Sequence, residues 1–183
     1  WLIGYPTDTT VKKFSNKKLT PMIRDCKELA ELAGDPKKRD GSNSMNEKDF
    51  PGMSITMAGF GTANNLASQS IRYLCIDEAD RIPYITQNEG DTCEVAEKRT
   101  TGFPDNHKII YISTPTIKDI SRIEKLYKES DQRSYYMPCP ECGGEVIFKF
   151  EFFKFQHDKG EKKATDVHFE CPLCKAKIYE NKK

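Results

Sequence analysis

Ile71-Arg72-Tyr73-Leu74-Cys75-Ile76-Asp77-Glu78-Ala79-Asp80 is a brief apolar run that ends abruptly in carboxylates. It is too short for a buried helix and follows a stretch rich in Gly, Asn and Ser, so it reads as a central strand that leaves the core at Asp77. Residues 108–113 form a second apolar run, closed by Thr114-Pro115-Thr116, and predict a second central strand. Leu2, Ile3 and Tyr5 before Pro6 look like a strand end, and residues 53–58 alternate Met53, Ile55 and Met57 with small partners, as a strand does. Helical spacing fills the gaps. Thr20 and Pro21 offer an N-cap and an N1 proline to a helix with the stripe Met22, Ile23, Cys26, Leu29, Ala30 and Ala33, and Gly34 serves as its stop. Residues 7–19 are polar with weak helical spacing, and residues 93–98 predict a short helix. Residues 119–130 place Ile120, Ile123, Leu126 and Tyr127 on one face, with Asp119 near the positive end of the dipole. Residues 35–46 and 59–70 read as loops, and 83–90 as irregular. Strands alternating with helices predict an α/β fold, a parallel sheet flanked by helices. The rhythm stops at Pro138, which sets a boundary near Met137 and two parts, 1–137 and 138–183.

The chain has 183 residues, a length that suits one domain with a small appendage. With 37% apolar and 31% charged residues, collagen-like, low-complexity and disordered classes fit poorly. No apolar stretch approaches the ~20 residues of a bilayer-spanning helix, and no basic-then-apolar leader follows Trp1, so neither a membrane span nor a signal peptide is expected. A net charge of +1 announces no nucleic-acid footprint at the level of the whole chain. Seven cysteines, four of them in two Cys-x-x-Cys pairs, argue against a secreted disulfide framework and for a reducing compartment.

In open parallel sheets, ligands sit beyond the carboxyl ends of the strands, where Asp77 and Glu78 lie. An aspartate there can hold Mg²⁺ directly or through water, and a neighbouring glutamate can orient or deprotonate a water that attacks a terminal phosphate. Four apolar residues before Asp-Glu make a Walker B signature. The plain alternative is a strand that merely meets solvent. Ser113-Thr114-Pro115-Thr116, at the end of the next strand, supplies short hydroxyls that can bond to the catalytic acid or the lost phosphate. By itself the segment would read as a turn opening a helix.

Taken in order, Ile71 to Asp80, Arg81-Ile82-Pro83, Glu89-Gly90-Asp91, Ala96-Glu97-Lys98-Arg99-Thr100, Ile112-Ser113-Thr114-Pro115-Thr116, Ser130-Asp131-Gln132-Arg133 and Tyr136-Met137-Pro138-Cys139-Pro140-Glu141-Cys142 resemble the ATPase region of lambda-like phage terminase large subunits. The resemblance covers most of the chain. It implies a P-loop NTPase-like fold and part of a motor in which ATP hydrolysis drives double-stranded DNA into a procapsid. Asp77 then resembles the Mg²⁺-coordinating acid, Glu78 the catalytic glutamate, and Ser113, Thr114 and Thr116 the motif that couples hydrolysis to movement. Arg99 is a candidate phosphate-sensing arginine by the same resemblance, against a plain reading as a solvated surface arginine that applies equally to Arg81. The terminase small subunit and the procapsid portal are implied as partners, with oligomeric assembly in the cytoplasm of an infected or lysogenic bacterial host. The departure is the missing Gly-x-x-x-x-Gly-Lys-[Ser/Thr] loop that cradles phosphates; Gly59-Phe60-Gly61-Thr62 lacks its lysine and its spacing. In the family that loop lies upstream of the part matching residues 1–6, and the nuclease that follows the motor is also missing. This piece alone is therefore expected to be inactive toward ATP.

Cys139-Pro140-Glu141-Cys142 and Cys171-Pro172-Leu173-Cys174 are two tight knuckles, 28 residues apart. Each sets two thiolates on one side of a turn, and together they predict a Cys₄ zinc ribbon whose ion is structural, because four sulfurs leave no open position. Between them, Phe148, Phe150, Phe152, Phe153 and Phe155, with Lys149 and Lys154, suit strand packing better than base stacking. His157 and His168 read as spectators of a filled shell, and Cys26, Cys75 and Cys93 as packing or surface residues. Two other functions compete with the motor reading. One is a fragment of an Asp-Glu-Ala-Asp helicase, for which Ser-Thr-Pro-Thr replaces the usual Ser-Ala-Thr. The other is a zinc module that grips DNA or a protein without catalysis.

Overall fold

The computed structural model describes residues 1–33, 43–61, 70–84, 90–157 and 164–180, and divides into two compact units, Trp1–Ser130 and Asp131–Lys183. Gly34 and most of the expected loops at 35–46 and 59–70 lie outside the described residues, as do residues 85–89, and with them Glu89.

Among the described residues five strands build the sheet of the first unit: β1 (Leu2–Tyr5), β2 (Glu47–Phe50), β3 (Met53–Gly59), β4 (Tyr73–Asp77) and β5 (Lys108–Ile112). Their order is β2-β3-β1-β4-β5. β3, β1, β4 and β5 run parallel, and β2 joins antiparallel as an edge. This is a mixed α/β unit with a mostly parallel sheet. The twofold alternation of a strand sorts its side chains between two faces. On one face Leu2, Ala58, Leu74 and Ile76 pack with Phe60, Ile71, Ala79, Ile82, Cys93 and Ala96. On the other, Tyr5 and Met57 pack with Val11 and Leu19. Gly4 leaves room for the buried Phe60 ring, which any Cβ at that position would overlap.

One expectation for the strands needs correcting, and one strand was unforeseen. β5 is an edge strand, because among the described residues only β4 pairs with it; Ile110 and Ile112 are 40% and 51% exposed, while Ile109 and Tyr111 pack on the core. β2 had no apolar alternation to announce it. Its one buried residue is Lys48, whose stem is covered while Nζ donates to the Ser44 carbonyl at 2.5 Å.

The expected single helix from Thr20 to Ala33 is two helices. Helix α1 (Asp8–Phe14), capped by Thr7, runs through a π-helical turn (Ser15–Leu19) into α2 (Thr20–Asp25), so Thr20 has helical φ −62° and ψ −46° and does not start a helix. Pro21 accounts for the widened turn: its ring would clash with the Lys17 carbonyl of a regular helix, and a π-bulge relieves that clash. The chain then extends at Cys26, with φ −95° and ψ 112°, before α3 (Lys27–Ala33). No residue of α2 or α3 is buried.

Helix α4 (Thr92–Lys98) begins at Asp91, whose carboxylate accepts from Cys93 N, and turns Cys93 and Ala96 into the core. Helix α5 (Arg122–Glu129) begins at Ser121, whose hydroxyl accepts from Glu124 N; Asp119, at φ 67°, precedes the helix, and Ile120 is exposed. No helix among the described residues is long and apolar enough to cross a membrane.

In the second unit, β6 (Met137–Pro138) pairs with β7 (Glu145–Val146). A separate antiparallel sheet has the order β10-β9-β8, from β8 (Phe153–His157), β9 (Ala164–Glu170) and β10 (Lys177–Ile178). Val146, Phe169 and Ile178 form its core with Cys139 and Cys171, and Phe148, Phe152 and Phe153 pack around them. Phe150 and Phe155 face outward, 80% and 50% exposed, so the aromatic run divides between packing and surface.

Candidate functional site

Asp77 is the last residue of β4, half-buried, and its Oδ1 accepts from Glu78 N at 2.9 Å. It points to the face opposite Leu74 and Ile76 and toward Tyr5. Burial, and then the charge of Asp77, raises that phenol well above its usual range. Glu78 sits at φ 52°, in the left-handed region that a side chain with a Cβ enters only at a cost of ~1 to 2 kcal/mol. Such a turn carries the carboxylate out of the sheet; among the described residues its nearest cation is Arg81, with Nε 3.9 Å away and largely exposed.

A 3-10 turn (Ala79–Arg81) follows, and Asp80 within it, a residue without an expected role, gathers partners from two later segments. Asp80 Oδ2 accepts from Thr116 N at 2.9 Å and Thr116 Oγ1 at 3.1 Å, and Oδ1 from Ile123 N at 2.8 Å. Asp80 N donates to Ser113 Oγ at 3.1 Å. Burial alone would raise the Asp80 carboxyl, but hydrogen bonds from Ser121, Ile123 and Thr116 outweigh it and hold the group below the usual carboxylate range. The expected pair of strand ends is therefore adjacent, Asp77 lying opposite Ile112, and the hydroxyls of Ser113 and Thr116 meet Asp80. Ser113 Oγ donates to the Thr114 carbonyl at 3.3 Å.

Arg122 holds the same turn from the other side. Its NH1 donates to the carbonyls of Ala79 and Ile82, its NH2 reaches both oxygens of Asp91 at 3.0 and 2.9 Å, and its guanidinium lies 4.1 Å above the Tyr84 ring. Arg99 is not brought to the carboxylates. Its carbonyl accepts from Ile71 N at 2.9 Å, at the amino end of β4, roughly 20 Å of extended chain from Asp77. Its Nε is buried and meets no acceptor among the described residues.

In the second unit the two knuckles are built alike. Gly143 N donates to the Cys139 carbonyl and Lys175 N to that of Cys171, with left-handed φ of 69° at Gly143 and 61° at Lys175. Cys139 and Cys171 are buried, Cys142 and Cys174 exposed. All four sulfurs lie within 4.8 Å of one another, and those of Cys139 and Cys174 are 3.9 Å apart. A tetrahedron with sulfurs at ~2.3 Å from its centre has edges of about 3.8 Å, so the set fits a zinc ion. The backbone N–H of Cys174 leads in lowering the Cys171 thiol to about 7. Cys174 is raised to about 12: the Ala176 N–H favours its thiolate, but desolvation and its thiol neighbours outweigh that. His168 is outside the cluster, its Nδ1 2.7 Å from the Asp166 carbonyl.

The chain matches, over residues 1–183, the family model described as phage terminase large subunit gpA, ATPase domain. It is 33% identical over 153 residues to the terminase large subunit of Enterobacteria phage P21, a match covering 81% of this chain and 23% of that protein. The chain thus spans about a quarter of that curated relative. Among solved structures it is similar to the large terminase ATPase domain of Thermus phage P74-26, at 15% identity and a TM-score of 0.47 over 80% of this chain and 59% of the other, a likeness too distant to carry an argument.

Proposed function

This chain belongs to the phage terminase large subunit gpA ATPase-domain family, and on that premise we propose that it forms part of the ATP-hydrolysing motor that moves double-stranded DNA into procapsids. The observation that carries this reading is the meeting of two parallel strand ends, with Asp77-Glu78 at the end of β4, Ser113 to Thr116 directly after β5, and Asp80 bonded to both Ser113 and Thr116. Asp77, directed by its bond from Glu78 N, holds Mg²⁺ directly or through water. The cation, when bound with ATP, neutralises charge on the phosphates. Glu78, carried out of the sheet by its left-handed turn, orients the attacking water and accepts its proton. Ser113, Thr114 and Thr116 relay the state of the site to α5.

No segment of this chain supplies the lysine-bearing loop of a P-loop NTPase. The rest of the large subunit contributes it, and the open edge of β5, with Ile110 and Ile112 uncovered, is where an additional parallel strand would pair. The second unit, residues 138–183 as the sequence divides them, is a zinc ribbon whose ion is structural. By the resemblance, the small subunit, the portal and further copies of the large subunit are the partners, and the host cytoplasm is the place of action. The helicase and non-catalytic readings gain no support from the family match.

The test is steady-state ATP turnover by the complete large subunit. Glu78→Gln should lower kcat by about 10²-fold or more while nucleotide binding persists. Turnover within tenfold of the unsubstituted protein would refute the assignment. This chain alone should release no phosphate from ATP and Mg²⁺.

A further inference from the structure

We propose that Asp80 is a positioning residue of the hydrolytic site: its carboxylate ties the end of β5 and the first turn of α5 to the turn bearing Glu78, so that the three move as one body. The inference rests on the reading of Asp77 and Glu78 given above.

One carboxylate here accepts from two separate segments, from Thr116 N and Oγ1 on one and from Ile123 N and the Ser121 side chain on the other, while its own N–H donates to Ser113. Helix capping does not explain the arrangement. α5 already has its cap in Ser121, and both Thr116 donors lie outside that helix. The tie is also doubled, with both sets of donors on α5. Ile123 N donates to Asp80, and Arg122 beside it donates to the Ala79 and Ile82 carbonyls on either side of Asp80. Ala79 and Ile82 anchor the ends of this turn in the core, while Asp80 between them is half-buried and Arg81 exposed, so the outer side of the turn is held by these hydrogen bonds.

Glu78 needs such a fixture. A non-glycine residue in the left-handed region persists only where its surroundings over-determine it, and Asp80 is two residues away. Freed of Asp80, the turn can relax toward ordinary φ, which swings the Glu78 carboxylate away from its working position without altering how ATP is held. A misplacement of about 1 Å is enough for losses of up to ~10²-fold in the chemical step.

The experiment measures kcat and KM for ATP in the complete large subunit. Asp80→Asn puts an amide NH₂ against the Thr116 donors, and Thr116→Val removes only a hydroxyl at an exposed position. Asp80→Asn should lower kcat by roughly tenfold or more with KM within about twofold, and Thr116→Val should lower kcat by about threefold. The double variant should lose no more than Asp80→Asn alone, because both act through one tie. An unchanged kcat in Thr116→Val, or multiplicative losses in the double variant, overturns the proposal even if Asp80→Asn fails to fold. Glu78→Gln separates the two claims. If it abolishes turnover while Asp80→Asn leaves kcat intact, only this inference fails. If Glu78→Gln itself turns over normally, the active-site reading falls and this one with it.

Discussion

Replacing Arg122 by methionine should be among the most damaging single changes in the first unit. The Arg122–Asp91 pair is buried, with side chains only 7% and 13% exposed. Methionine keeps the stem but strands the Asp91 carboxylate, leaves the Ala79 and Ile82 carbonyls without these donors and removes the cation over Tyr84. Breaking one side of a buried ion pair costs ~3 to 5 kcal/mol, against a total stability of ~5 to 15 kcal/mol. For a unit of this size that is a fall in Tm of roughly 10 to 20 °C. Adding Asp91→Asn should restore at least ~1 kcal/mol, since asparagine can still accept from Cys93 N and carries no unpaired charge. The assay is thermal and urea unfolding of the chain, followed by circular dichroism. A loss below ~1 kcal/mol for Arg122→Met, or a further loss in the double variant, would refute the reasoning.

Two further outcomes follow from the geometry. Stripping metal with a chelator should expose Asp131–Lys183 to protease while the first unit keeps its circular dichroism, because small ribbons draw folding free energy from their ion; an unchanged digestion pattern would contradict the zinc assignment. The Asp80 carboxyl is lowered in the folded state, so its stabilisation is fully present above the unfolded value of ~3.9 and fades as pH falls through the folded value. Unfolding free energies of the unsubstituted chain and Asp80→Asn should therefore converge below about pH 4 and differ most near neutrality; a constant gap would show that the charge contributes nothing.

Much of this was legible in the residues. The apolar runs ending at Asp77 and Ser113 were short enough to be strands and nothing else, and the cysteine knuckles carry their geometry in their spacing. What escaped has physical causes. β2 is a charged edge strand with no periodicity to detect. The stripe from Met22 to Ala33 was helical but could not reveal that Pro21 widens the preceding turn or that Cys26 extends. β5 has the composition of a central strand, yet among the described residues only β4 pairs with it. Asp80 stood in the quoted stretch without a role because its partners, Ser113, Thr116 and Ile123, lie more than 30 residues away along the chain. Arg122 was hidden similarly, since a basic residue at a helix start reads as solvated until its buried acceptors are seen. Arg99 matched a family pattern, but its backbone bond to Ile71 sets it at the other end of the strand.

The most direct test of the central claim is a structure of the complete large subunit with Mg²⁺ and a non-hydrolysable ATP analogue. The account predicts Asp77 on the cation, directly or through one water, and Glu78 within hydrogen-bond reach of a water in line with the terminal phosphate. A nucleotide seated elsewhere, or a Glu78 carboxylate turned away from that phosphate, would contradict it.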